Sequence, residues 1–121
     1  MSSPFVYLQL HTQDHAAAKE FYSSLFGWAL QDAPPGAPAY TEVVVDDSPV
    51  GGIMPAKNAS APSQWIPFIG VPNVDEVVNA AKTRGAQVIV TPTDVPQKGR
   101  YALLADPAGA LFALWTPLKA R

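Results

Sequence analysis

Hydrophobic and polar residues alternate along residues 5–11, FVYLQLH, and this alternation predicts a β-strand with one face on a core. The side chains predicted to face away from the core are Tyr7, Gln9 and His11. The period then changes to helical spacing between Asp14, a possible N-cap, and Gly27, a glycine suited to end a helix. Three short predicted strands follow, so residues 5–55 indicate a βαβββ order.

The second half of the chain repeats this order. Residues 65–71 predict a strand, Asn73 and Glu76 form a possible capping box, and Gly85 is placed to end the second helix. Three more predicted strands follow, with a turn at DPAG, residues 106–109. We therefore expect an α+β fold in one domain, with module one at 4–55, a linker at 56–63 and module two at 64–117.

Composition excludes several classes of protein. The chain has 121 residues, 48% hydrophobic and 15% charged, which is typical of a folded globular domain. A net charge of −2 without a basic stripe argues against a nucleic-acid partner, and the lack of cysteine excludes disulfides and thiolate sites. Because no signal peptide or membrane-length apolar run is present, we expect a cytoplasmic protein without a membrane partner.

Three stretches carry a family resemblance. They are DHAAAKEFYSSLFGW (14–28), VDEVVNAAKTRGAQV (74–88) and GRYALLADPAGALFALW (99–115). In this order they resemble the vicinal oxygen chelate superfamily of glyoxalase I, bleomycin-resistance proteins and extradiol dioxygenases, and most of all its bacterial glyoxalase-like proteins of unassigned activity. The resemblance implies a curved, half-barrel mixed sheet with the helices on its convex face, a cleft between the modules, and often a homodimer.

The resemblance also implies where a metal would bind. Metal-dependent members carry His or Glu on the first and fourth strands of each module. The matching positions here are Tyr7, Gly51, Ile66 and Ala113, with Gly51 uncertain by one or two residues. None is an ordinary ligand of a divalent cation, since tyrosinate is rare and the other three offer no side-chain donor. We therefore expect no metal cofactor.

An aromatic cleft remains as the candidate site. Strand alternation places Ile66 and Phe68, and also Ala113 and Trp115, on the same face as the first-strand residues, with Trp28 and Trp65 near the rim. The predicted ligand contacts are Tyr7, Gln9, His11, Tyr40, Ile66, Phe68, Tyr101 and Trp115. Such a cleft suits a small organic ligand. For Trp65, Phe68 and Trp115 the alternative is a role in the core or in a dimer interface.

His11 and Glu42 are the candidate acid/base residues. His11 would end the first strand on the cleft side, where its pKa near neutrality suits proton transfer, and Glu42 has apolar neighbours that would perturb it if it were buried. The alternatives are a polar strand end and an exposed glutamate. His15 is expected to be a solvated residue of the first helical turn. Lys98 and Arg100 would meet an anionic ligand or remain solvated.

These observations favour one function over two others. The first is a metal-free homodimer that binds a small organic molecule in its cleft for sequestration or sensing, with drug resistance as one version. The alternative is a metal-dependent lyase or dioxygenase with unorthodox ligands such as His11, Glu42 and Tyr7. A third interpretation is an interaction module whose cleft is closed by the dimer.

Overall fold

The computed structural model describes residues 3–118, and its contacts divide the chain into two units. The first unit is Tyr7–Ile66, and the second comprises residues 3–6 and 67–118. The strands are β1 (Phe5–Thr12), β2 (Ala29–Asp32), β3 (Thr41–Val45), β4 (Ser48–Pro55), β5 (Gln64–Gly70), β6 (Gln87–Val95), β7 (Gly99–Ala105) and β8 (Leu111–Pro117). The helices are α1 (His15–Phe26) and α2 (Val74–Thr83). The α+β class and the repeated βαβββ order are both confirmed.

Helix α1 begins and ends where the sequence predicts. Asp14 is the N-cap, and its carboxylate accepts a hydrogen bond from the amide of Ala17 at 3.0 Å, which satisfies one of the free amides of the first turn. Gly27 has a φ of 66°, in the left-handed region, and its amide donates to the carbonyl of Ser23. Only Ala18 is fully buried in this helix. Most of the larger apolar side chains of α1 therefore remain outside the core.

The sheet of the first unit has the strand order β2-β3-β4-β1. β1 runs parallel to β4, whereas the other neighbours are antiparallel, so the sheet is mixed. Its helix-facing side holds the core of this unit, which consists of Leu10, Ala18, Val43 and Ile53. Because side chains alternate along a strand, the residues directly before and after each core residue of a strand lie on the opposite face of the sheet.

A buried hydroxyl connects α1 to the edge of this sheet. Thr41 is fully buried, and it donates to a carboxylate oxygen of Asp32 at 2.6 Å. Since this uses the only hydroxyl proton, the Nε2 group of His15 must donate to Thr41 across 2.9 Å. Lys19 and Asp32 form an ion pair at 2.8 Å, and the hydrogen bonds from Lys19 and Thr41 lower the pKa of Asp32. The prediction that His15 is merely solvated is therefore wrong.

The second unit repeats the arrangement with the strand order β5-β8-β7-β6. Asn73 caps α2 by accepting from the amide of Glu76 at 3.1 Å, and Gly85 follows the helix with a φ of 98°. The core of this unit is Val71, Val74, Val78, Ala102, Leu104 and Leu114. Among the described residues, neither helix is long and apolar enough to cross a membrane.

Arg100 connects α2 to the β6–β7 hairpin. Its guanidinium lies 2.9 Å from a carboxylate oxygen of Asp75 on α2 and 2.9 Å from one of Asp94 on β6. These partners raise the pKa of Arg100 above its usual value. The guanidinium of Arg100 is therefore held by two carboxylates of the chain and is neither fully solvated nor free to bind an anionic ligand. Lys98 is exposed, as the sequence indicates.

Candidate functional site

The face of the first unit's sheet that points away from α1 carries a row of polar side chains. Leu10 lies in the core, so Tyr7, Gln9 and His11 on the same strand occupy the other face. The strand register aligns Gln9 with Gly52 on β4, and Gly52 with Glu42 on β3. Neighbours paired in this way point to the same side of a sheet, so Glu42 shares this face, where it is half-buried.

Four of the predicted ligand contacts form one hydrogen-bonded network on this face. The hydroxyl oxygens of Tyr7 and Tyr40 are 2.5 Å apart. The Nε2 group of Gln9 donates to the Tyr40 hydroxyl at 3.2 Å, and the Oε1 atom of Gln9 lies 2.7 Å from Nε2 of His11. We call these four residues the polar network. Each of them holds the next in place, so the polar atoms are positioned before any ligand arrives.

Gly52 makes room for the centre of the polar network. A Cβ atom on Gly52 would overlap with the Tyr40 hydroxyl and with its ring. The Tyr40 side chain therefore lies directly over the backbone of β4, in the space that a side chain at position 52 would occupy. This close approach brings Tyr40 within reach of both Tyr7 and Gln9.

Burial shapes the electrostatics of the polar network. Burial, assisted by the hydrogen bond to Tyr40, raises the pKa of the Tyr7 phenol above its ordinary value of 10.0, so Tyr7 is protonated at neutral pH. Burial also lowers the pKa of His11 below 6.5, and the charge of Lys57 adds to this effect. At neutral pH His11 is thus an uncharged imidazole with a cation nearby.

The family positions for a metal ion carry no suitable donors in this chain. The register aligns Gly51 with Leu8 and places Gly52 on the same face as Gln9, so Gly52 is the fourth-strand residue of this face. Neither glycine has a side chain, and a protonated Tyr7 is a poor cation ligand. Residues 3–118 contain no group of three or more His, Cys, Asp or Glu side chains arranged to hold a metal. The side chains at these family positions therefore do not fit a divalent metal ion.

The remaining predicted contacts lie elsewhere in the structure. Ile66 belongs to the first unit and is 1% exposed, so it offers almost no surface to a ligand. In the second unit Phe68 is also buried, and its strand partner is Ala113. Tyr101 and Trp115 are half-buried partners on β7 and β8.

Trp65 and Trp28 belong to an aromatic cluster on the helix-facing side of the first unit. The Trp65 indole donates to the Tyr22 hydroxyl at 3.2 Å and meets the Trp28 ring edge to face, with ring centroids 6.2 Å apart. Both tryptophans pack against the core. The prediction that they line the rim of the cleft is wrong, because both pack on the helix-facing side, whereas the alternative of a core role for Trp65 is confirmed.

Sequence reasoning missed two contributors to the site. Gly52 carries no functional group and gives no signal in the sequence, yet its lack of a side chain admits Tyr40. Lys57 was assigned to a linker, yet it lies two residues after the end of β4. The last paired residues of the two strands are Thr12 on β1 and Pro55 on β4. The parallel pairing of β1 with β4 would have placed Lys57 close to the His11 end of the strand.

Comparison with known protein families gives one match that covers most of the chain. The family model of the Glyoxalase/Bleomycin resistance protein/Dioxygenase superfamily matches residues 5–114. The chain belongs to this superfamily. This membership agrees with the resemblance seen in the sequence, and the vicinal oxygen chelate fold is confirmed.

Individual members of the superfamily are similar over most of this chain. The CFP32 protein of Mycobacterium tuberculosis, whose name assigns it provisionally to the glyoxylases, is 35% identical over 114 residues, covering 90% of this chain and 44% of that protein. The anthracycline biosynthesis protein DnrV of Streptomyces peucetius is 34% identical over 124 residues, covering 90% of this chain and 45% of that protein. The chain therefore spans less than half the length of these relatives.

A solved structure supports the same fold. A hypothetical protein from Bacillus halodurans superimposes with a TM-score of 0.70 at 15% identity, covering 100% of this chain and 99% of that one. At this identity the likeness concerns the fold alone and does not extend to chemistry.

Proposed function

We propose that the chain binds a small organic molecule on the polar face of its first unit, without a metal ion, as a sequestering or sensing protein. The polar network carries this proposal. It holds two hydroxyls, an amide and an imidazole in fixed positions on a partly buried sheet face, and a few fixed polar groups on such a surface orient a ligand. Since these groups are already held by one another, little side-chain entropy is lost on binding.

A planar polycyclic ligand is a sensible first candidate. DnrV is named for anthracycline biosynthesis, and anthracyclines carry several oxygen atoms on a flat ring system. The polar network extends from Tyr7 to His11, four residues along β1, which is about 13 Å at the usual rise of a strand. That length is comparable with several fused rings.

We expect daunorubicin, a fluorescent anthracycline, to bind the purified chain. Tyr40→Phe is expected to weaken that binding about tenfold, because the variant loses the hydroxyl that contacts both Tyr7 and Gln9. Fluorescence titration measures the affinity. The matched control is Tyr22→Phe, which removes a hydroxyl from the helix-facing side of the same unit and is expected to bind as the wild type does. Equal losses in both variants would contradict a site at the polar network.

The metal-dependent alternative has its own test. A lyase or dioxygenase would need unorthodox ligands such as His11, Glu42 and Tyr7, and the raised pKa of the Tyr7 phenol opposes ionisation to tyrosinate. We expect no stoichiometric zinc, nickel, manganese or iron in freshly purified protein by elemental analysis, and no change in daunorubicin affinity after treatment with a chelator. A stoichiometric metal, or turnover of a hemithioacetal or catechol that the chelator abolishes, would support the alternative.

We also propose that the chain pairs with a second copy through α1. Phe21, Leu25 and Phe26 are 56%, 59% and 59% exposed, an apolar surface without a charged side chain among its members. A surface of this kind can meet itself across a twofold axis.

Sedimentation velocity over a range of concentrations tests the pairing. We expect the wild type to form dimers and the double variant Phe21→Ser/Leu25→Ser to dissociate about a hundredfold more readily, because large apolar contacts dominate such interfaces. The control is Ile89→Ser, which changes a 48% exposed apolar residue on β6 and is expected to leave the dimer intact. A monomeric wild type at all concentrations would rule out this pairing.

A further inference from the structure

The Gln9 amide gives the polar network a direction. Its carbonyl oxygen lies 2.7 Å from Nε2 of His11, and an amide oxygen can only accept. The proton of the neutral His11 ring is therefore on Nε2, and the Nδ1 atom carries a lone pair. At the other end of the amide, the Nε2 group donates to Tyr40, which is consistent with the same orientation.

The Nδ1 atom of His11 is placed to receive a proton. It makes no hydrogen bond within the described part of the chain, and the ring is only half-buried. Met54, the strand partner of His11 on β4, lies on the same face and is half-buried. A methionine side chain packs well against an aromatic ring. His11 and Met54 thus offer an acceptor and an apolar surface to the same ligand.

Lys57 supplies a positive charge near His11. It is exposed, it follows the end of β4 by two residues, and its charge acts on the His11 ring. The other titratable groups on this face are Tyr7, Tyr40 and Glu42, which lie towards the opposite end of the polar network. A ligand oxygen between His11 and Lys57 would therefore meet a proton acceptor and a cation together.

We propose that His11 Nδ1 accepts the hydroxyl proton of a bound phenol or enol, and that the Lys57 ammonium stabilises the negative charge on that oxygen. The proposal rests on the proposed function and names its ligand class. The proton passes from the ligand oxygen to Nδ1, the oxygen keeps the electron pair of the O–H bond, and the ring becomes an imidazolium that still donates to Gln9 through Nε2. Gln9 is the positioning residue, because its amide decides which ring nitrogen is free.

The first test is the tautomer of His11 in the ligand-free protein. Long-range ¹H–¹⁵N NMR distinguishes the two neutral forms. Because the chain has only two histidines, the set of signals that disappears in His11→Gln belongs to His11. We expect the Nε2–H form in the wild type and a mixture of both forms in Gln9→Leu. A wild-type ring with its proton on Nδ1 would mean that the Gln9 amide is reversed, which would overturn the proposal whatever the ligand.

The second test uses a pair of probes that differ by one proton. 4-Nitrophenol absorbs in the visible range only when it is ionised, and 4-nitroanisole has the same ring without the hydroxyl proton. We expect 4-nitrophenol to bind about tenfold more tightly than 4-nitroanisole, with a raised ionised fraction. We expect His11→Gln to abolish the difference, since the glutamine amide can replace Nε2 towards Gln9 but not the acceptor at Nδ1.

Lysine variants separate the role of Lys57 from a general effect of charge. Lys57→Gln is expected to reduce the ionised fraction of bound 4-nitrophenol, and Lys98→Gln, which removes an exposed lysine of the second unit, is expected to leave it unchanged. Equal binding of the two probes, or binding of neither, would overturn this ligand class. Daunorubicin binding that depends on Tyr40 would then still uphold the proposed function, so the two failures are distinguishable.

Discussion

Replacing Gly52 with alanine is expected to destabilise the protein by about 1–3 kcal/mol and to displace Tyr40 from the polar network. The new methyl group would occupy the space that the Tyr40 hydroxyl and ring now fill, so either the ring must rotate away or the strands must separate. Urea denaturation measures the change in the free energy of unfolding, and daunorubicin titration measures the effect on the site. We expect the loss in affinity to equal or exceed that of Tyr40→Phe.

A double-mutant cycle isolates the cause. In a Tyr40→Ala background the clash is absent, and an alanine in a strand has less conformational entropy to lose on folding than a glycine. Gly52→Ala is therefore expected to be neutral, or stabilising by up to about 1 kcal/mol, in that background. An equal cost in both backgrounds would show that position 52 needs glycine for a reason other than Tyr40.

Truncating Ile53, the next residue along the chain, is expected to cost about 2–5 kcal/mol as Ile53→Ala. Ile53 is 0% exposed and packs against Leu10, Ala18 and Val43 in the core of the first unit. The substitution removes three side-chain carbons from a closely packed region that can fill the resulting cavity only in part. Since Ile53 points away from the polar face, the residual folded protein should bind daunorubicin with wild-type affinity.

Two controls calibrate this cost. Ile53→Val removes one carbon and is expected to cost about 0.5–1.5 kcal/mol, and Ile89→Ala changes an exposed isoleucine of the second unit and should cost much less than Ile53→Ala. Urea midpoints at an unchanged denaturant slope provide the comparison. A cost for Ile53→Ala close to that of Ile89→Ala would contradict the buried position assigned to Ile53.

Most of the fold could be predicted because its signals are local. Asp14 and Asn73 are residues that accept hydrogen bonds from free helix amides, and Gly27 takes a left-handed conformation that favours glycine, so both helices were placed correctly. The alternation along residues 5–11 also places Leu10 in the core and Tyr7, Gln9 and His11 on the other face, whereas Val6 and Leu8 are 43% and 49% exposed because the core does not reach them. In contrast, no local pattern reports that β6 continues through Pro92 to Val95, where β7 pairs with it on both sides of the proline.

The site was predictable only where strand alternation decides it. Tyr7, Gln9 and His11 follow directly from the period of β1. Tyr40 was expected among the ligand contacts, but its position over Gly52 depends on the direction of a ring and on a missing side chain in another strand. The buried state of Ile66 likewise depends on packing from residues distant in sequence, and no local pattern reports it.

The alternation along β1 also affects how this protein could change during evolution. On β1 the candidate site residues Tyr7, Gln9 and His11 face one side of the sheet, and Leu10 faces the core on the other side. Under the proposed function, a substitution at Gln9 or His11 would therefore alter ligand preference while Leu10 continues to hold the strand against α1. New binding specificities would thus be accessible through single amino-acid changes that leave enough stability for the chain to fold.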